Sequence, residues 1–266
     1  MRFNDSVKQT ALARGIVIEK AAKSSEVEIF IKRFRENYVS VNLTRIGGEG
    51  DGGYLMPNVL ESVSHCFSPG VNDIAHFEAE LSKDYGIKSF LADASVSKAP
   101  LVDENFQFIK KFLGSRTHGD FVTLSDWMAA SLDGSERELV LQMDIEGGEY
   151  DVLTFESEAT LSRFSVMAFE FHSLQSLFDR NFLKMITAIF EKIYKNFSVC
   201  HVHPNNCCGI ASLNGVSVPK VIEVTFVRND VVKQFLNDSN VSLPHDLDRK
   251  NVSDRADIMM PDPWWR

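Results

Sequence analysis

The sequence predicts an α/β protein built on one doubly wound sheet, and three observations carry that prediction. Short apolar runs alternate with stretches of helical spacing, which is typical of parallel βαβ units. The 266 residues are 44% hydrophobic, which is enough for one large core. No internal repeat or low-complexity linker divides the chain. The predicted strands are 63–67, 89–92, 106–112, 139–145, 164–171, 198–202 and 221–227.

The elements outside these strands follow from residue spacing and turn chemistry. Apolar residues recur every three to four positions over 6–38, which predicts one or two helices. The same spacing over 177–197 predicts a long amphipathic helix. Five glycines at 47–53, followed by Pro57, predict a loop or hairpin before the sheet.

These elements divide the chain into three parts. We predict an N-terminal helical extension (1–40), a main α/β domain (41–232) and a C-terminal tail (233–266). The tail contains Trp264-Trp265-Arg266, which we expect to dock on the body of the domain. A lid and a dimer contact are the alternatives for this tail, and the oligomeric state stays open.

Composition excludes several partners. With 28 Lys and Arg against 37 Asp and Glu, the net charge of −9 argues against nucleic-acid binding. No apolar run approaches the roughly 20 residues of a membrane span, and we recognise no signal peptide. The four cysteines lack zinc-type spacing, so we expect a reduced, cytoplasmic protein.

Polar residues at the carboxyl ends of the first two strands form the first candidate site. Open sheets bind ligands at this edge. The turn from Ser68 to Asp73 contains Gly70 and precedes a helical stretch whose N-terminus offers unpaired N–H groups. The second strand ends at Asp93, about twenty residues on, where an acidic side chain can bind a ribose diol. Together these signals favour an adenosine-type cofactor.

The next two strands end in carboxylates and a histidine. The predicted strand 139–145 ends in Asp144 and Ile145, and Glu146 follows. Asp144 and Glu146 share a face if the strand extends as far as Glu146. Helix capping explains Glu149 but not Asp144. Glu170 and His172 also share a face and are expected beside Asp144. Such a set could bind a divalent cation or act as a general base, although a strand-end histidine is more often structural.

A third candidate group follows the sixth strand. His201 and His203 lie on one face of this strand, with Asn205 just beyond. Contact with a substrate and burial on an edge strand are equally compatible with this spacing.

Several of these residues carry a family resemblance. Its motifs are Arg45-Ile46-Gly47, Asp51-Gly52-Gly53-Tyr54, Phe67-Ser68-Pro69-Gly70-Val71, Asp93, Thr123-Leu124, D-I-E-G-G-E at 144–149 and E-F-H at 170–172. Over roughly residues 45–230 the chain resembles the FkbM-type methyltransferases, a branch of the S-adenosylmethionine-dependent class with a Rossmann-like seven-stranded sheet and helices on both faces. It departs from the family pattern at Gly148, where Ala is usual, and at Pro69 and Val71, where small residues are common.

The resemblance implies an assignment of the cofactor site. The turn with Ser68, Gly70 and Asn72 would hold the methionine part of S-adenosylmethionine, and Asp93 its ribose. Asp144 would lie at the methyl-transfer end, with Asp51 and Tyr54 reaching the same pocket.

The resemblance also implies the reaction. Family members mostly methylate hydroxyl groups, often on sugars, so we predict O-methylation of a sugar, glycan or related hydroxylated metabolite. His172 would remove the acceptor proton, or a divalent metal held by Asp144 and Glu170 would acidify the acceptor hydroxyl. Substrate contacts are expected from Glu146, His201, His203 and Asn205.

Three other functions are each compatible with part of the sequence. A nicotinamide-dependent oxidoreductase would use the G-x-G-x-x-G at Gly48, Gly50 and Gly53, but Pro57 leaves no room for the helix which that motif requires. A metal-dependent hydrolase would use Asp144, Glu170 and His172 as ligands, without a close-spaced ligand motif. A non-catalytic carbohydrate-binding module would need none of the strand-end carboxylates.

Overall fold

The structure is a computed structural model that describes residues 5–134, 136, 138–233, 236 and 243–265. Residues 1–4 of the predicted helical extension, and Arg266 and part of 233–242 in the predicted tail, lie outside the described residues. The helices are α1 (Asp5–Leu12), α2 (Ser24–Glu36), α3 (His76–Tyr85), α4 (Leu124–Ser131), α5 (Glu149–Phe155), α6 (Glu158–Leu161), α7 (Arg180–Tyr194), α8 (Asn229–Val232) and α9 (Asp262–Trp265). Short 3-10 helices span Leu60–Ser62 and Leu174–Phe178.

The strands include all seven that the sequence predicts. They are β1 (Leu43–Ile46), β2 (Tyr54–Pro57), β3 (His65–Pro69), β4 (Lys88–Ala92), β5 (Phe106–Ile109), β6 (Phe112–Leu113), β7 (Phe121–Val122), β8 (Leu139–Met143), β9 (Phe164–Phe171), β10 (Phe197–Pro204), β11 (Ile210–Leu213), β12 (Val216–Pro219) and β13 (Ile222–Arg228). Two predicted strands are shorter than expected, because β5 stops at Ile109 and β8 at Met143.

The central sheet has seven strands in the order β10-β13-β9-β8-β3-β4-β5. The five strands β5, β4, β3, β8 and β9 are parallel and follow the doubly wound order. Strand β9 is buried along its whole length, which explains its nearly continuous apolar sequence. The Rossmann-like α/β fold is therefore confirmed.

One strand of the sheet runs against the other six. β13 runs antiparallel to both β9 and β10. A parallel return requires a crossover, usually a helix. The described residues between β10 and β13 instead form the antiparallel pair of β11 and β12, so the chain re-enters the sheet in the opposite direction.

Helices cover both faces of the sheet, as expected. One face packs against α2, α4, α5 and α7 through side chains such as Phe30, Trp127 and Phe190. The other face packs against α3 and the β1–β2 pair through Phe77, Leu81 and others.

The long helix predicted over 177–197 is shorter at both ends. Asp179 caps α7, because its Oδ1 accepts from the backbone N of Asn181 at 2.9 Å and of Phe182 at 2.8 Å. At the other end the helix stops at Tyr194, and Phe197 already belongs to β10.

The glycine cluster is the turn of a hairpin, as predicted. β1 and β2 pair antiparallel on either side of it. The Arg45 guanidinium donates to the carbonyl oxygens of Gly48 and Gly50, which fixes the turn. The Thr225 hydroxyl donates to Leu55 O at 2.8 Å and ties the hairpin to the sheet.

The C-terminal tail docks on the body of the molecule. Trp264 is 1% exposed and packs edge-on against Phe34, with ring centroids 5.5 Å apart. Its indole N–H donates to Ser217 O at 3.1 Å. Within the described ranges, no helix is long and apolar enough to cross a lipid bilayer.

Candidate active site

A cavity of about 470 Å³ opens at the carboxyl ends of β3, β4 and β8, where the strand order reverses. This is the ligand position of open α/β sheets, and the volume suits a small-molecule site. Seven residues predicted for the cofactor or substrate line it: Asp51, Tyr54, Gly70, Asn72, Asp93, Asp144 and Glu146.

Asp93 occupies the end of the second parallel strand. It is 5% exposed, and its Oδ2 accepts from Asn72 N at 2.8 Å. Its Oδ1 accepts from Ser95 N at 2.7 Å and from the Ser95 hydroxyl at 2.6 Å. The carboxylate thus holds the turn after β3 in place, and Oδ2 retains a second acceptor position for a hydroxyl.

Gly70 is required for a close approach of two backbone segments. Its φ is +91°, and a Cβ added there would lie 1.6 Å from Asp144 O. The sequence suggested that this glycine lets the backbone approach a ligand. The structure shows that it lets the β3 turn pack against the start of the loop after β8.

A buried polar network forms the floor of the cavity. The Ser68 hydroxyl contacts Glu78 and lies 2.7 Å from Gln142 Oε1, whose amide nitrogen donates to Tyr54 OH at 3.0 Å. Glu78 and Gln142 line the cavity. Ser68 is fully buried and does not line it. Burial raises the pKa of Glu78 to about 6.

Sequence reasoning missed Glu78 and Gln142. Glu78 sits at helical spacing in α3, and Gln142 interrupts an apolar strand. The lone polar residue in β8 was the signal that could have identified Gln142.

The loop after β8 separates its two acidic side chains. Asp144 and Glu146 do not share a strand face, because β8 ends at Met143 and Glu146 adopts a φ of +55°. The Asp144 side chain is 28% exposed, whereas that of Glu146 is 87% exposed. Asp144 is therefore the partly desolvated carboxylate of this loop.

Glu149 and His172 form a buried pair beside Asp144. Glu149 is fully buried, and its Oε1 lies 3.1 Å from His172 Nδ1. The same oxygen accepts from Ile145 N at 3.1 Å and from Gly147 N at 3.3 Å. A carboxylate only accepts, so Nδ1 carries the proton and Nε2 is the free acceptor of the neutral ring. Glu149 is therefore not a helix cap, because it accepts from loop residues that precede α5, and it also orients His172.

Three further carboxylates surround His172 Nε2. Glu146 Oε2 lies 3.4 Å away, and Asp144 Oδ1 and Glu170 Oε1 both lie 3.8 Å away. Asp144 and Glu170 are thereby brought together with His172, as their positions at the ends of neighbouring strands predicted.

These neighbours shift the pKa values of the group. Burial raises the pKa of Asp144 to about 7, against the opposing charge of His172. Burial, together with the charge of Asp144, raises the pKa of Glu170 well above its usual range. Burial alone would lower the pKa of His172, but the hydrogen bond and charge of Glu149 outweigh it, and this pKa is raised.

One group of side chains could hold a metal ion. Asp144, Glu149 and His172 each offer a ligand atom, and these atoms lie within 4.8 Å of one another. Glu170, which the sequence paired with Asp144 for this purpose, is not in the group. Its Oε1 instead accepts from Asn205 Nδ2 at 2.7 Å, which places Asn205 next to the site.

His201 and His203 lie apart from the cavity. They are 1% and 2% exposed, and both contact Asp248 of the tail. Their shared strand face is as predicted, and β10 is an edge strand. In this structure they are partners of the tail rather than part of the cavity wall.

The cavity also has an apolar wall. Phe112 and Phe121 belong to the small β6–β7 pair and are 40% and 41% exposed, with ring centroids 5.6 Å apart. Leu113 completes this wall. Sequence reasoning missed this apolar wall, since single phenylalanines are common in this chain.

Comparison with known families identifies the chain as an S-adenosylmethionine-dependent methyltransferase. Residues 77–196 match the family model described as "Methyltransferase FkbM domain". This match confirms the predicted resemblance to the FkbM-type methyltransferases over those residues. They contain Asp93, Asp144 and His172, but not the β1–β2 hairpin.

Similarity to curated proteins and to solved structures is weaker than the family match. No curated protein matches the chain significantly. Among solved structures, the fibrillarin/NOP5P complex shows 8% identity, a TM-score of 0.37 and coverage of 72% of this chain and 98% of that one. A SAM-dependent methyltransferase from Archaeoglobus fulgidus shows 13% identity, a TM-score of 0.34 and coverages of 63% and 87%. The plantazolicin methyltransferase BpumL in complex with SAH shows 8% identity, a TM-score of 0.30 and coverages of 62% and 76%.

Proposed function

We propose that the enzyme methylates a hydroxyl group of a sugar, a glycan or a related hydroxylated metabolite. The observation that carries this proposal is the Glu149–His172 pair, in which Nε2 lies 3.8 Å from Asp144 at the edge of the cavity. A hydroxyl needs a base to become a good nucleophile, and a histidine oriented by a carboxylate is a common one.

The residues around the cavity fit S-adenosylmethionine. Asp93 would accept from the ribose hydroxyls, and the turn with Gly70 and Asn72 would hold the methionine part. Asp51, Tyr54 and Asp144 would complete the methyl-transfer end, where negative charge favours a cationic centre. The bound cofactor supplies an activated sulfonium methyl group.

The chain's own residues then align the acceptor and move its proton. The acceptor oxygen would lie between the cavity and His172 Nε2, which takes the hydroxyl proton as the new O–C bond forms. The Glu149 carboxylate stabilises the resulting imidazolium through Nδ1–H. Glu146 and Asn205 are placed to contact the acceptor, and His201 and His203 would influence it only through the tail.

The charge of the cavity favours an uncharged acceptor. The described lining of the cavity contains no lysine or arginine. It contains six acidic residues, which are Asp51, Asp73, Glu78, Asp93, Asp144 and Glu146. A phosphorylated or carboxylated acceptor would be repelled, whereas a neutral sugar hydroxyl would not.

A metal-assisted version of the same reaction has one observation in its favour. Asp144, Glu149 and His172 could ligate a divalent cation, which would acidify the acceptor hydroxyl. Activity that is lost with a chelator and restored by Mg²⁺ or Mn²⁺ would select this version over the histidine base.

The proposal is tested by assaying the purified protein with S-adenosylmethionine and a panel of neutral sugars, phosphosugars and amines. We expect methyl transfer to neutral sugars, with one S-adenosylhomocysteine released per O-methyl group. Transfer to amines alone would overturn the acceptor assignment. Failure to bind S-adenosylhomocysteine in calorimetry would overturn the assignment of the cofactor cavity.

A further inference from the structure

A segment of the C-terminal tail contacts the carboxyl-terminal half of β10 and the first residues of β13. We call residues 245–256 the strap. Its described contacts are with β10, with β13, with the loop after β10 and with the β1–β2 hairpin. These contacts are polar, and their partners His201, Asn206 and Glu223 are each at most 5% exposed.

Asp248 fastens the strap to β10. Its Oδ1 lies 2.9 Å from His201 Nε2, and its Oδ2 lies 3.5 Å from His203 Nδ1. The Asp248 side chain is 5% exposed, so the three groups are removed from water together. Pairing with the two histidines holds the pKa of Asp248 well below its usual range, although burial opposes this shift.

Asn206 holds the strap a few residues further on. Its side-chain oxygen accepts from Val252 N at 2.8 Å, and its amide nitrogen donates to Val252 O at 2.9 Å. Asn206 is 4% exposed. The strap is therefore fixed on both sides of residue 251.

Asn251 connects this fixed segment to the cavity. Its Nδ2 lies 2.5 Å from Glu223 Oε1 and 3.2 Å from Asp51 Oδ1. Both partners are carboxylates that accept hydrogen bonds, so the amide nitrogen is the donor to each. A second link runs from Arg249 to Glu49 in the same hairpin turn.

Asp51 belongs to the cofactor cavity. It lines the cavity together with Asp144, and its charge contributes to raising the pKa values of Asp144 and Glu170. Asp51 sits in a turn rich in glycine, so little else on its own segment restricts its side chain.

We propose that Asn251 is a positioning residue that holds the Asp51 carboxylate in the wall of the cofactor cavity, which makes the strap part of the methyl-transfer site. This inference rests on the proposed binding of S-adenosylmethionine in that cavity. The positioned carboxylate faces the cationic end of the cofactor, so the loss of its restraint weakens binding. We expect about a tenfold loss of affinity, which corresponds to about 1.4 kcal/mol.

A double-mutant cycle measures this coupling. The dissociation constant of S-adenosylhomocysteine is determined by calorimetry for wild type, Asn251→Ala, Asp51→Asn and the double variant. We expect each single change to weaken binding about tenfold, and the double variant to bind no more weakly than Asp51→Asn. Asp254→Ala, at an exposed strap position, is the matched control and should bind like wild type.

A merely structural strap would give a different result. Thermal melts check folding, and Asn251→Asp serves if Asn251→Ala does not fold, because it keeps the shape but sets a third carboxylate beside Asp51 and Glu223. Additive losses in the cycle, or unchanged affinity in the folded Asn251 variants, would overturn the inference. Wild type that fails to bind would instead overturn the cofactor assignment.

Discussion

The cavity has two sides that are held together by different kinds of contact. Where β3, β4 and β8 end, backbone amides nearby in sequence hold the carboxylates: Asp93 bonds Ser95 two residues on, and Glu149 bonds Ile145 four residues back. We call this the nucleotide side, after the proposed position of the cofactor. On the strap side, Asn206 bonds Val252 across 46 residues, and Asn251 bonds Asp51 across 200.

The strap side depends on the complete fold more than the nucleotide side does, because its hydrogen bonds join distant parts of the chain. Local bonds form whenever their own turn forms. Long-range bonds require closure of long loops, and segments held by them are the first to open. The nucleotide side should therefore respond to substitution through its chemistry, whereas the strap side should respond through stability and position.

The largest expected effect tests the chemistry of the nucleotide side. Replacing His172 by Ala should lower kcat by about 10²–10⁴, because the acceptor proton loses its base. Binding of S-adenosylhomocysteine should stay within about twofold of wild type, since His172 does not line the cavity. Steady-state rates and calorimetry check the two parts separately. Wild-type kcat in this variant would remove His172 from the mechanism.

The second effect concerns the stability of the strap side. Asp248→Ala leaves His201 and His203 buried without their common partner, so the free energy of unfolding should fall by about 3–5 kcal/mol. Urea denaturation followed by circular dichroism measures this change, with Asp254→Ala as the control. A loss within the experimental error would show that the strap is not held through Asp248.

The third effect returns to the nucleotide side and concerns affinity. Asp93→Ala removes both the predicted ribose contact and the bonds to Asn72 and Ser95. The dissociation constant of S-adenosylhomocysteine should rise about 10- to 100-fold, as expected for the loss of charged hydrogen bonds. Calorimetry provides the measurement. Affinity equal to wild type would separate Asp93 from the cofactor.

The smallest effect is a shift in pH dependence. The raised pKa of His172 means that the ring loses its proton only above the usual 6.5, and a base must be neutral to act. Rates should therefore increase as the pH rises through an apparent pKa above 6.5, and this increase is the acidic limb of the pH–rate profile. Glu149→Gln should move this limb to lower pH, because the main contribution that raises the pKa is removed. A limb that stays in place in Glu149→Gln would argue against the Glu149–His172 pair.

A control for this pH effect lies in the same loop. The Glu146 side chain is 87% exposed, so solvent screens its charge. Glu146→Gln should move the pH limb much less than Glu149→Gln does. Equal shifts in the two variants would mean that general loop charge, rather than the buried pair, sets the pKa.

The sequence predicted the nucleotide side well, because its signals are local. Apolar runs identified all seven central strands, and polar residues at strand ends identified Asp93, Asp144 and His172 as neighbours of one edge. The direction of β13 was not predictable from its apolar run, since periodicity is the same in both directions. Ser68 shows a related limit, because a strand-end hydroxyl gives no sign of whether it points into the cavity or the floor.

The strap side could not be predicted for a different reason. Asp248 and Asn251 sit in a charged segment without apolar periodicity, and their partners lie far away in the chain. His201 and His203 were identified, but nothing local indicated that an aspartate of the tail joins them. Glu149 was identified only as a cap, since its bond to His172 also requires two strands to meet.

The separation between Asp51 and Asn251 has a consequence for how the enzyme is made. Asp51 leaves the ribosome 200 residues before Asn251. At translation rates of about 5–20 residues per second, that interval lasts roughly 10–40 s. During it, a nascent chain can assemble the parallel strands around Asp93, but Asp51 has no restraint from the strap. Under the proposed role of Asn251, full affinity for the cofactor is acquired only after the strap has been translated and has folded back.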